Sequence, residues 1–193
     1  IYMASANAGY SVENILVEGR HFTDGETLKA IMGIEKHDPL FAYDLADIQT
    51  KIEKLSWVKT ARVERRLPDT IYVHLEERVP MALWQRNKRL SLIDTEGKVV
   101  TDHKLERFKD LVIVVGEKAP EEATKFLQIL DAEPEVLNRV EAITYVSNRR
   151  WNLKLKNGVT VKLPEDEMSL ALRRLSVTQD KENIMDKDIE VID

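Results

Sequence analysis

Hydrophobic and polar positions follow two different periods along this chain, and each change of period predicts a change of element. A short β-like run covers 12–17 and closes at Gly19. Thr23-Asp24-Gly25-Glu26 then predicts a capping box, with the Thr23 hydroxyl accepting from the Glu26 amide and Glu26 reaching back. Leu28, Ile31 and Met32 follow on one helical face, and Gly33 stops that helix. Asp44 predicts a second N-cap, with Leu45, Ile48, Ile52 and Leu55 after it at helical spacing. The charges of this helix agree with its dipole: Asp44 and Asp47 lie at the positive end, Lys51 and Lys54 toward the negative one. The period then falls to two. Thr60, Arg62, Glu64 and Arg66 alternate with Ala61 and Val63; after Leu67-Pro68-Asp69, Ile71, Val73 and Leu75 alternate with Tyr72, His74 and Glu76. This predicts a hairpin with one apolar face. The order strand, helix, helix, strand, strand predicts a three-stranded sheet covered on one face by two helices.

A second region starts near Pro80. Strands are expected around 81–84, 90–93 and 99–100, with Asp94-Thr95-Glu96-Gly97 as the turn before the last of these. A buried strand is expected at 111–115. Pro120-Glu121-Glu122 opens a helix with Ala123, Phe126, Leu127 and Leu130 inward. Trp151, Leu153 and Leu155 then face Val159, Val161 and Leu163. A two-residue turn at Asn157-Gly158 would set Leu155 against Thr160, apolar against polar. A three-residue loop, Lys156-Asn157-Gly158, pairs Leu155 with Val159, Leu153 with Val161 and Trp151 with Leu163, and puts Gly158 where a left-handed residue is needed. A last helix over 167–177 turns Met168, Ala171, Leu172 and Leu175 inward, and Ile189, Glu190, Val191 and Ile192 form a final strand. The whole is an α+β chain: a leader at 1–10, a β-α-α-β-β domain at 11–79, and a mostly antiparallel sheet domain with helices at 80–193.

Composition narrows what such a chain does. Of its 193 residues 43% are hydrophobic and 33% charged, which suits folded domains. A net charge of -5 argues against nucleic acid as a partner. Without cysteine there is no disulfide, thiolate nucleophile or cysteine zinc site. His21, His37, His74 and His103 lack metal-ligand spacing, and the chain carries no G-x-S-x-G, P-loop or G-x-G-x-x-G motif. The carboxylates that can be placed have helix-capping or turn roles. No catalytic residue, metal or cofactor is expected.

The first region resembles a POTRA domain through Val17-Glu18-Gly19, through Trp57-Val58 with Ala61 and Val63, and through Arg66-Leu67-Pro68-Asp69-Thr70. The stretch Glu77-Arg78-Val79-Pro80, Ala82, Leu83-Trp84-Gln85 resembles the domain junction of the FtsQ/DivIB family of cell-division proteins. The second region is similar to that family's β domain through Leu92-Ile93-Asp94 with Gly97, through Trp151, Leu153, Leu155 and Gly158, and through Arg173. The resemblance implies a single transmembrane helix before Ile1, a periplasmic remainder, no catalysis, and a role in recruiting FtsB, FtsL and other division proteins during septum formation. It also implies one further strand after Asp193, so the contacts of that strand cannot be assigned here. On the neighbouring strand Ile189, Glu190, Val191 and Ile192 are the candidate partner-binding residues, with Arg149 and Arg150 before Trp151, where a family arginine pairs with an acid of FtsB. Arg62, Glu64, Arg65 and Arg66 mark a second candidate edge, on the POTRA domain, where the same charges also suit a guarded border. A different expectation is a POTRA-bearing periplasmic module of an outer-membrane protein transporter; against it, Val17-Glu18-Gly19 is not repeated.

Overall fold

The computed structural model describes residues 10–193, so the expected leader lies, except for Tyr10, outside the described residues. The chain divides into two compact units at the Arg78–Val79 bond, and each has its own apolar core.

The first unit runs β1 (Asn14–Glu18), α1 (Gly25–Met32), α2 (Leu45–Glu53), β2 (Val58–Arg66) and β3 (Thr70–Glu77). Its sheet has the order β1-β3-β2, with β3 parallel to β1 and antiparallel to β2. The middle strand is the most apolar: Ile71, Val73 and Leu75 are buried against Leu28, Met32, Ile48 and Ile52 of the helices. Burial of each such side chain contributes about 1.5–3 kcal/mol. Asp44 caps α2 as expected, its Oδ1 accepting from the amides of Ala46 (3.0 Å) and Asp47 (3.3 Å).

The cap of α1 departs from expectation by one residue. Asp24 takes the place assigned to Thr23, and its Oδ2 accepts from both the amide and the hydroxyl of Thr27 at 2.8 Å. The reason is a long-range clamp. The Glu77 carboxylate accepts from the amides of His21 (2.8 Å), Phe22 (2.7 Å) and Thr23 (2.7 Å), which holds Thr23 in the buried part of the loop. Gly19 starts that loop with φ +80°; a Cβ there would lie 1.9 Å from the Leu75 carbonyl oxygen.

The second unit runs β4 (Pro80–Arg86), β5 (Arg89–Asp94), β6 (Val99–Thr101), β7 (Ile113–Val115), α3 (Ala119–Asp131), α4 (Pro134–Leu137), β8 (Val140–Val146), β9 (Arg150–Leu155), β10 (Thr160–Lys162), α5 (Met168–Glu182) and β11 (Val191–Ile192). Its sheet has the order β11-β10-β9-β8-β7-β4-β5-β6. Two antiparallel blocks, β4-β5-β6 and β8-β9-β10, are joined through β7, which is parallel to both β4 and β8. β11 adds to β10 in parallel, so the sheet is mixed. Ala123, Phe126 and Leu130 of α3 and Leu172 and Leu175 of α5 share one core with the sheet. At its centre the Phe126 ring stacks on Trp151, with centroids 4.8 Å apart.

The β9–β10 hairpin has the expected register. Leu153 faces Val161, Leu155 donates to the Val159 carbonyl (2.8 Å), Leu163 donates to that of Trp151 (3.0 Å), and Gly158 has φ +92°. Several elements differ from the sequence pattern: α4 was not expected, the strand expected over 111–115 starts at Ile113, and two further differences have a clear cause. β8 was not anticipated, because a register shift between Val140 and Ala142 puts its buried residues, Val140 and Ile143, three apart instead of two. α5 continues past Val177 to Glu182 because its inward face turns polar there. Gln179 is buried; its Oε1 accepts from the Met185 amide (2.8 Å) and its Nε2 donates to Asp186 (2.6 Å).

Candidate functional site

β11 is the outermost strand at one border of the second sheet. Its two residues pair with Thr160 and Val161, and the Thr160 amide extends the ladder by donating to the Glu190 carbonyl (2.9 Å). Ile189 and Ile192 pack partly against the core, whereas Glu190 is exposed and Val191 is 47% exposed. The regular strand is two residues long, shorter than the four expected, and within it Val191 faces outward and Ile192 inward.

Beside β11 an open groove of about 600 Å³ runs between α5 and the end of β10. Val161, Leu163, Ala171, Leu175 and Ile192 supply apolar lining. The groove brings together Arg149, Arg150 and Ile192, residues singled out from the sequence, with Lys162, Glu165, Arg174 and Asp193, which were not; all of these but Ile192 form its charged rim. Arg149 and Arg150 are delivered by the turn between β8 and β9. Ser147 (φ 52°) and Asn148 (φ 54°) are both left-handed, and the Arg149 amide donates to the Val146 carbonyl (3.2 Å), the geometry of a tight hairpin turn. Tyr145 closes the turn by donating its hydroxyl to the Asn148 carbonyl (2.9 Å).

The cations of the rim differ in what already holds them. Arg149 Nε lies 3.9 Å from Glu165 and Lys162 Nζ 3.6 Å from Asp193, both in solvent-facing pairs worth about 1 kcal/mol or less. Arg150, half-buried, and Arg174, exposed, have no ion pair among the described residues. Nothing in the sequence separates Arg174 from the neighbouring Arg173; only the direction of the helix face does so.

The second candidate edge is β2, the outer strand of the first sheet. Its four candidate residues divide between two faces. Arg62, Glu64 and Arg66 lie on the face away from the helices and are linked to each other, with Glu64 2.6 Å from Arg62 and 4.0 Å from Arg66. Arg66 also lies over the Tyr72 ring, 3.3 Å from its centroid, and the Tyr72 hydroxyl donates to Glu18 (2.6 Å). That hydrogen bond, with burial, raises the Tyr72 pKa. Arg65 turns the other way. It donates to the Leu40 carbonyl (3.0 Å) and to that of Tyr43, and covers the Phe41 ring, so its guanidinium is committed to its own chain.

Several titratable groups elsewhere have local partners. His37 lies 3.1 Å from Glu13, and His103 3.1 Å from Asp102. Glu13 is held below the usual carboxylate range by hydrogen bonds from Ser11 and His37. Burial raises the Glu77 pKa, but the donors at Thr23, Phe22 and His21 outweigh it and bring it below the ordinary value. Among the described residues no group of three or more metal-type side chains converges, and no helix is long and apolar enough to cross a membrane.

The first unit's strand order and helix pair, followed by a mixed sheet with helices, make this a POTRA-containing protein with a second α+β domain. The FtsQ-type POTRA profile matches residues 10–78, and the profile of the C-terminal domain of the cell-division protein FtsQ/DivIB matches 82–193. The chain belongs to the FtsQ/DivIB family of cell-division proteins. It is similar to FtsQ of Rickettsia felis, with 34% identity over all of this chain and 72% of that protein. It is similar to FtsQ of Caulobacter vibrioides, with 34% identity over 97% of this chain and 62% of that protein, and to FtsQ of Rhizobium meliloti, with 34% identity over 99% and 62%. A solved structure, the major extracytoplasmic domain of DivIB from Geobacillus stearothermophilus, covers 57% of this chain and 98% of its own, with 15% identity and a TM-score of 0.38.

Proposed function

We propose that this protein is a non-catalytic scaffold of the division machinery that holds the FtsB–FtsL pair at the β11 border. In this reading an N-terminal helix anchors the protein in the bacterial inner membrane. The residues described here then stand in the periplasm at the septum, where they contact other division proteins as well. The observation that carries the reading is that β11 is the outermost strand of its sheet among the described residues and lies next to a groove rimmed by Arg150 and Arg174, which have no ion pair among those residues. An outer strand offers unpaired amides and carbonyls to an incoming strand. Each main-chain bond contributes only about 0.5–1.5 kcal/mol net, so specificity has to come from side chains. The arginines supply it by bidentate pairing with a carboxylate of the partner, and the apolar lining receives its inward side chains. Family membership favours division over the transporter-module alternative.

The test is a calorimetric titration of the membrane-anchored full-length protein with the extracytoplasmic part of FtsB. Arg149→Glu with Arg150→Glu is expected to weaken binding about tenfold or more while the thermal midpoint stays nearly constant. Unchanged affinity would remove the arginines from the interface.

A further inference from the structure

The first unit has a second free border with a different character. β1 is the outer strand opposite β2, and nothing among the described residues pairs with its far side from Asn14 onward. Just upstream the chain is sealed: the Val12 amide donates to the Asp38 carbonyl (2.8 Å) and the Val12 carbonyl accepts from the His37 amide (2.7 Å). Over these five residues every second one turns its main-chain groups to the free side, enough for a short added strand.

Side chains along this border favour docking, whereas those of β2 oppose it. β2 carries the linked charges Arg62, Glu64 and Arg66, a common way to keep an edge from pairing. β1 carries no cation. Ile15 and Val17 are half-buried on the helix side, and Leu16 is 50% exposed on the other. Beside β1 an open groove of about 400 Å³ has Val12, Ile15 and Ile34 as apolar lining. The charges of its rim are Lys29, Lys36, Glu13 and Glu35. Glu13 is engaged by Ser11, His37 and Lys36. Lys29 has no ion pair among the described residues.

We propose that the outer edge of β1 docks an extended protein segment with apolar residues at every second position and a carboxylate placed to meet Lys29. The segment adds as a fourth strand. Alternate side chains enter the groove over Ile15 and Ile34, and the others cover Leu16, which otherwise meets water. This site is independent of the β11 border, and its partner is recognised by β-strand chemistry, not by a catalytic group.

The test uses an acetylated and amidated heptapeptide of alternating valine and threonine ending in glutamate, titrated into the isotope-labelled chain and followed by amide NMR shifts. Saturable shifts are expected at residues 14–18 and along 28–36. Methylating alternate peptide nitrogens should weaken binding about tenfold or more, because each removes a strand-pairing donor. Leu16→Lys and Lys29→Glu should each weaken it about threefold or more without moving the thermal midpoint. The proposal is overturned by no shift at millimolar peptide, by shifts confined to β2 or to the second unit, or by equal binding of the methylated peptide.

Discussion

Glu77 shows how one side chain can set the course of a whole loop. Its carboxylate accepts three consecutive amides from residues more than fifty positions earlier, and the stacked rings of Phe22 and Trp57 lie in the same region. Glu77→Gln is expected to destabilise the first unit by about 1–2 kcal/mol, measured by urea unfolding at neutral pH. Because the folded-state pKa of Glu77 lies below the ordinary 4.5, its contribution is complete above that value and fades as pH falls through the folded pKa. The difference between wild type and variant should therefore shrink in acid; a gap that stays constant down to pH ~3 would contradict the clamp. Two glycines make a matched pair of tests. Gly158 has φ +92° with open space around it, so Gly158→Ala should cost about 1 kcal/mol for conformation alone. Gly19 has φ +80° and a carbonyl in the way of any Cβ, so Gly19→Ala should cost more than about 3 kcal/mol in the same assay. The Asp24 cap was hidden in the sequence for the same reason that Glu77 matters: a contact from a distant strand moved the helix start by one residue.

At the scale of elements, periodicity foretold most of what the structure contains. The β9–β10 register could be worked out because only one loop length keeps Leu153 facing Val161. Two of the departures have one cause, a local break in the simple period: a bulge in β8, and a buried amide, Gln179, on the inward face of α5. α3 depends on one contact above the rest. Phe126 is 1% exposed and stacks on Trp151, which also stacks on Tyr145. Phe126→Ala should destabilise the second unit by about 3–5 kcal/mol, read as a fall in its unfolding midpoint, while Phe126→Leu should cost clearly less. Equal costs would mean that the lost ring stacking, and not the lost volume, carries the effect.

On the scale of the whole chain, function was legible only as a kind of surface. The sequence pattern pointed to a closing strand and a pair of arginines, and the fold brings both to one groove. Arg174 stayed invisible because helix spacing says which residues face inward but not which outward cation borders a groove. The β2 border was legible as charged, but the commitment of Arg65 to its own chain was not, since its ties to Leu40 and Tyr43 come from a loop far away in sequence. The central claim is that main-chain groups along β11, flanked by arginines, hold a division partner without chemistry. Amide hydrogen exchange of the full-length protein with and without the extracytoplasmic part of FtsB tests it most directly. The account predicts slowed exchange confined to 189–192 and to the residues lining the adjoining groove. Protection absent there and appearing elsewhere would contradict it.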